Sequence, residues 1–160
     1  DMPSHEQLIA ARDHVVERHA DLSVIGAHYG SLEYDMAEVA DHFERYPNFA
    51  IDTSGRLGDA AYHDRETMRD FFTRYQDRIL WGTDQGVNRN PDATPEQRRA
   101  AMAEMEKMYE LEWAFFATDQ PVTVHGRPSQ GLALPEPVLA RMFHDNACAW
   151  YPRLQEAPAV

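Results

Sequence analysis

One cysteine, Cys148, stands alone in 160 residues. No disulfide can close within the chain and no thiolate cluster can hold a metal, and a lone thiol suits a reducing, cytoplasmic compartment. Long apolar runs are missing too. None approaches the roughly 18 residues that a membrane-spanning helix needs. Positive charge is scarce: 15 Lys and Arg stand against 27 Asp and Glu, a formal net charge of −12. That balance argues against nucleic-acid backbones and anionic membrane surfaces as partners. A small-molecule substrate remains open, because such a ligand responds to local charge. There is no Gly-rich phosphate loop, no serine nucleophile elbow and no Cys-x-x-Cys pair. The chain opens on Asp1-Met2-Pro3 with neither an initiator nor a signal region. It runs straight into a capped helix, so it is expected to begin inside a longer protein.

What is present is ordinary in bulk and specific in pattern. Hydrophobic content of 43% and charged content of 26% are those of a globular domain. Three short apolar runs end on ionisable side chains: Leu22 to His28 (LSVIGAH), Phe49 to Asp52 (FAID) and Ile79 to Asp84 (ILWGTD). Helical patterns flank each of them. Near-continuous apolar runs between helices read as buried parallel strands, since helices cover both faces of such a sheet. A polar residue at the carboxyl end of such a strand leaves the packed interior for the face where α/β enzymes do chemistry.

Local signals set the boundaries. Ser4 with Gln7 forms a capping box, and Leu8, Ala11, Val15 and Val16 make an apolar stripe up to about His19. A second helix is expected from about Leu32 to Tyr46, with Met36, Val39, Ala40 and Phe43 inward and Pro47 ending it. A third runs from about Asp64, its core face Met68, Phe71, Phe72 and Tyr75. After Asp84 comes a loop through Asp92, then a second capping box at Thr94 and Gln97, with Pro95 at the favoured first position. The long helix that follows reaches about Phe116. Its Met102, Met105 and Met108, with Tyr109, Trp113 and Phe116, read as core or as a subunit contact. Residues 119–131 read as a polar surface excursion. A final helix starts at Pro135 and packs through Val138, Leu139, Met142, Phe143, Ala147 and Trp150, before a loose tail.

Among the ionisable strand ends, His28 and Asp84 stand out. Gly30 and Gly82 beside them leave room for close backbone approach, and imidazole with carboxylate is a common donor set for zinc and related ions. Asp52, followed by Thr53 and Ser54, is expected to serve structural hydrogen bonds. The other histidines have simpler readings: His14 and His19 solvated, His42 facing away from the core, His63 and His144 at helix ends, and His125 in the excursion.

The segment from Arg12 to Asp84 resembles the amidohydrolase-related metal-dependent hydrolases. The pieces that carry the likeness are RDHVVERHADLSVIGAHYGSLEYD, YPNFAIDTSGR and FFTRYQDRILWGTD, with GLALPEPVLARMFHDNA resembling the family's last helix. The resemblance implies a (β/α)₈ barrel with a metal site at its C-terminal mouth. His28 then stands at the end of strand six and Asp84 at the end of strand eight, both as metal-site and catalytic residues. Arg56 would meet an anionic substrate group. The implied cofactor is a divalent metal, zinc foremost, acting on a small amide, ester, lactone or carboxylated ring. Decarboxylation and hydration belong to the same superfamily, and a non-catalytic interaction module is the reading from another class. The family's His-x-His pair and strand-five histidine have no counterpart here. Only about three of the eight strands a barrel needs are present. The chain is therefore expected to be the C-terminal part of a barrel, inactive alone, that meets its missing half or a second copy of itself.

Overall fold

The structure, a computed structural model, describes residues 2–86 and 90–154. Helix α1 (His5–Arg18) starts from the capping box at Ser4 and Gln7. Strand β1 (Val24–Gly26) leads into α2 (Ala27–Ser31), a single turn with left-handed backbone, and Asp35 caps α3 (Met36–Arg45). Strand β2 (Phe49–Asp52) is followed by α4 (Leu57–Tyr62), α5 (Arg65–Arg74) and the two-residue β3 (Ile79–Leu80). Helix α6 (Pro95–Ala117), the hairpin β4 (Pro121–Val124) and β5 (Arg127–Gln130), and α7 (Glu136–Ala140) come next. A π-helical segment (Arg141–Asp145) joins α7 to α8 (Asn146–Trp150).

The three strands β1, β2 and β3 pair in sequence order and in parallel, Val24 opposite Phe49 and Ile51 opposite Ile79. Parallel neighbours need crossover connections, which α3 supplies for the first pair and α4 with α5 for the second. The fold is thus mixed α/β around a parallel sheet. Strand β2 lies between the other two, and Phe49, Ala50 and Ile51 are all buried. That explains why its sequence shows no alternation. Aromatic side chains fill the space between helices and sheet: Phe43 stacks on Phe71 at 6.0 Å, and Phe72 meets Phe116 edge-on at 5.4 Å.

Polar side chains tie the strand ends to the helices by capping free carbonyls. The Asn48 amide lies 3.0 Å from the carbonyls of Val16, His19 and Leu22, closing the end of α1 onto the start of β2. Arg78 donates to the carbonyls of Tyr46 and Phe49. Asn146 on α8 donates to those of Gln76 and Ile79.

Several expectations are corrected. The α1 stripe is mostly outside: Leu8, Ala11 and Val15 are exposed and only Val16 is buried. The helix packs through Ile9, Arg12, Asp13 and Val16 instead. His42 does not face away; it is buried against Tyr46 and Phe49, its ring bonded to Asp13. The second helix starts at Met36 rather than Leu32, because residues 32–34 form a separate turn, closed by the Asp35 N–H on the Leu32 carbonyl, and the Asp35 side chain then caps the helix. An additional helix, α4, occupies part of the expected loop after β2. The excursion holds the β4–β5 hairpin, whose Val122 and Val124 are buried with the exposed Thr123 between them. Met102 is exposed, so the methionine side of α6 is not core over its whole length. Part of the expected 85–92 loop, and the tail from 155, fall outside the described residues.

Candidate functional site

His28 and Asp84 leave their strands by the same kind of backbone. His28 has φ 57° and Asp84 φ 55°, and Tyr29, Gly30 and Ser31 continue the left-handed turn at 54°, 69° and 60°. For residues with a Cβ, each such position costs about 1–2 kcal/mol. Strain of this kind gathers where a side chain must be held at an odd angle for function. The turn aims the His28 ring back over the end of β2. There Nδ1 lies 2.6 Å from the carbonyl oxygen of Ser54. A carbonyl can only accept, so Nδ1 carries a proton, and in the neutral ring Nε2 is left with its lone pair. An imidazole fixed in this way by a backbone carbonyl is set up as a base or as a metal ligand.

Asp52 makes the platform beneath. Its Oδ1 accepts from the backbone N–H of His28 at 3.0 Å, from that of Ser54 at 3.1 Å, and from the Ser54 hydroxyl. One carboxylate oxygen thus joins the turn after β1 to the loop after β2. This is the structural role expected for it. Thr53 adds the third strand: its hydroxyl donates to the Gly82 carbonyl and accepts from the Gly82 N–H, both at 3.2 Å. The glycines beside the site serve packing within the chain. A Cβ at Gly82 would meet Ser54 at 3.2 Å and one at Gly30 would meet Phe49 at 3.0 Å, so the room they leave is taken by neighbouring side chains.

Gly55 marks where the site residues meet. A point one Cβ bond off its backbone lies 3.2 Å from Asp84 Oδ2 and 3.5 Å from His28 Nδ1. Two residues from strands that are not neighbours in the sheet are therefore brought to one spot above β2. Arg56, next in sequence, is turned to one side. Its Nε donates to Glu33 Oε1 at 2.8 Å, with Asp59 4.0 Å away, and its Nη1 donates to the Gly55 carbonyl at 3.2 Å. The guanidinium sits at the rim with its charge already engaged by a carboxylate. Glu33 was invisible to sequence reasoning, since a lone glutamate after a turn carries no signal. His125 is exposed at the tip of the β4–β5 hairpin, with its ring Nδ1 2.7 Å from where a Cβ on Gly58 would be.

The side chains near this spot suit a divalent ion in kind, an imidazole and a carboxylate; the imidazole nitrogen beside Gly55 is the proton-bearing Nδ1, and the lone pair is on Nε2. They fall short in number. Among the described residues no three His, Cys, Asp or Glu side chains converge on one point, whereas a catalytic zinc site takes three protein ligands. His28 and Asp84 would hold one side of such an ion, and its other ligands would come from beyond the described residues.

No helix among the described residues is long and apolar enough to cross a membrane. No curated protein and no solved structure matches the chain. Among the described residues, a parallel sheet carries an imidazole and a carboxylate near one another past its strand ends. The amidohydrolase family profile matches residues 1–153, and the chain belongs to that family.

Proposed function

We propose that this chain is the C-terminal part of a (β/α)₈ barrel that carries out metal-dependent hydrolysis of a small amide, ester, lactone or carboxylated ring compound. Family membership supports a hydrolase-type or related activity. The observation that carries the finer reading is the meeting of His28 and Asp84 about Gly55, each on a left-handed residue beyond a parallel strand. A divalent ion, zinc in this reading, would lower the pKa of a water molecule bound to it far below that of bulk water, to about 7.

The chain's own residues divide the remaining work. Asp84 would be a ligand of the ion and would take the proton of the attacking water. His28 offers Nε2, because Ser54 occupies Nδ1; in the neutral ring that nitrogen can accept a proton or a metal bond. To polarise a substrate carbonyl by donation, the ring must carry a second proton, at Nε2. Asp52 keeps both loops in register, and Arg56 would meet an anionic substrate group while its Nε stays paired with Glu33.

Replacing Asp84 by Asn in the complete protein tests this. Turnover of small amide, ester and lactone substrates should vanish with the circular dichroism spectrum unchanged. Turnover persisting at the parental rate removes Asp84 from the reaction.

A further inference from the structure

A second layer of side chains stands behind the left-handed turn, and nothing in the hydrolytic reading uses it. Arg12 of α1 lies between the Phe49 ring, with its guanidinium carbon 4.9 Å from the ring centre, and the carbonyl of Gly30, to which its Nη1 donates. A Cβ on Gly30 would lie 3.1 Å from that same Nη1, so glycine is what lets the guanidinium close on the turn. The other edge of the guanidinium is held by Asp13, whose Oδ1 accepts from Nε at 3.0 Å and from Nη2 at 2.8 Å. Asp13 in turn is anchored through Oδ2 to Nε2 of the buried His42 at 2.8 Å, and His42 Nδ1 lies 2.8 Å from the carbonyl of Glu38. Every link is a directed polar contact. The series runs from the interior of α3, across α1, to a residue two positions after His28.

We propose that Arg12, braced by Asp13 and His42, is a positioning residue: it holds the 28–31 turn left-handed and thereby keeps the His28 ring on Ser54 with Nε2 bare. Three of the four residues in that turn carry a Cβ, so the turn opposes its own conformation by about 1–2 kcal/mol at each of them. Contacts from outside must offset this. The Asp52 bond to the His28 N–H holds the front of the turn, and the Arg12 bond to the Gly30 carbonyl holds its back. A charged donor on a carbonyl is the stronger kind of hydrogen bond. Bidentate seating on Asp13 also removes the freedom that would otherwise let the long side chain swing away. This inference rests on His28 being a site residue, but its test requires no substrate.

The experiment is nitrogen-15 NMR of the histidine rings in the metal-free complete protein, in mildly alkaline buffer, for the parent, Arg12→Met, Arg12→Lys and Asp13→Asn. The parent should show for His28 one protonated and one bare ring nitrogen, far apart in shift. In Arg12→Met the two shifts should move toward each other as the ring exchanges tautomers. The amides of Ala27 to Ser31 should also exchange with solvent at least tenfold faster, those of Ile51 and Ile79 staying as in the parent. Arg12→Lys keeps a charged donor for Gly30 without the bidentate seat and should restore part of the separation, and Asp13→Asn should lie between Arg12→Lys and the parent. A folded Arg12→Met with His28 ring shifts at parental values overturns the proposal. If Arg12→Met does not fold, parental shifts in both Arg12→Lys and Asp13→Asn overturn it. A failure here leaves the Asp84→Asn result standing, and the converse also holds.

Discussion

The indole N–H of Trp81, one residue past β3, donates to Glu112 Oε2 on α6 at 2.7 Å. The bond fastens the long helix to the end of the sheet, where Trp81 also packs on Phe143 at 5.0 Å and on Tyr109 at 5.8 Å. It places a carboxyl group in the interior. Burial pushes the Glu112 carboxyl above its ordinary range, and the Trp81 hydrogen bond pulls the other way with less effect.

The consequence for stability has a definite sign. An acid whose pKa is higher in the folded state binds its proton more tightly there than in the unfolded chain. Its contribution is fully present below the unfolded value, about 4.3 for glutamate, and is lost as pH rises toward the folded value. Glu112→Gln keeps an oxygen for Trp81 and has no proton to lose. The variant should be more stable than the parent at neutral pH, and the two should converge in acid. Urea unfolding across that range checks this; a difference that does not change with pH contradicts it.

Tyr29 poses the opposite problem. Its side chain is wholly buried and its hydroxyl has no hydrogen-bond partner among the described residues. Burial, followed by the carboxylates of Glu112, Asp59 and Asp52, drives its ionisation far above the ordinary range for a phenol. The hydroxyl therefore stays neutral and unpaired. An unsatisfied buried polar group costs about 1–3 kcal/mol, so Tyr29→Phe should raise stability by about 1 kcal/mol with the ring packing against Phe72 kept. A loss of stability in urea would reveal a partner for the hydroxyl.

Asn146 is the pin of the last helix. Its buried amide donates at 2.6 Å to the Gln76 carbonyl and at 2.7 Å to that of Ile79. Those acceptors flank the turn into β3, the shortest strand of the parallel sheet. Asn146→Ala leaves an interior acceptor at Ile79 without its donor and should cost about 2 kcal/mol. Asn146→Asp should cost at least as much, since a carboxylate cannot donate to a carbonyl. Midpoints of urea unfolding for the two variants decide the matter, and an Asp variant as stable as the parent would show that the donor is not what holds the helix.

The contrast between β2 and α1 shows which parts of the architecture could be read from residue patterns. Strand β2 is covered on both faces, so its run of Phe49, Ala50 and Ile51 announces it without ambiguity. The capping boxes at Ser4 and Thr94 are equally local, and both are formed. Helix α1 misled for the reason that makes it interesting: its inward face carries Arg12 and Asp13, which serve the turn after β1, while Leu8 and Val15 lie outside. Apolar spacing cannot see a face whose contacts are ionic. His42 was misplaced on the same account, because its partner Asp13 is distant in sequence. For the site, the strand-end positions of His28 and Asp84 were legible. Their convergence over Gly55 depends on a left-handed turn and a Thr53–Gly82 clasp that no periodicity encodes.

Gly55 is where that convergence can be probed most directly. Its φ of 64° is left-handed, and a methyl group there would lie 3.2 Å from Asp84 Oδ2, 3.4 Å from Asp84 Cβ and 3.5 Å from His28 Nδ1. The first of these is tighter than an ordinary contact, so Gly55→Ala should press the carboxylate outward in addition to the roughly 1–2 kcal/mol of backbone strain. Gly86→Ala is the control, for a Cβ there meets nothing within 4 Å. In the complete protein, Gly55→Ala should lower kcat/KM by tenfold or more while the Gly86 variant keeps the parental value. The loss should exceed what its reduced stability explains, which a rate measured well below the unfolding temperature isolates. Equal activity in the two variants would mean that the spacing between Asp84 and His28 across Gly55 is not what the reaction uses.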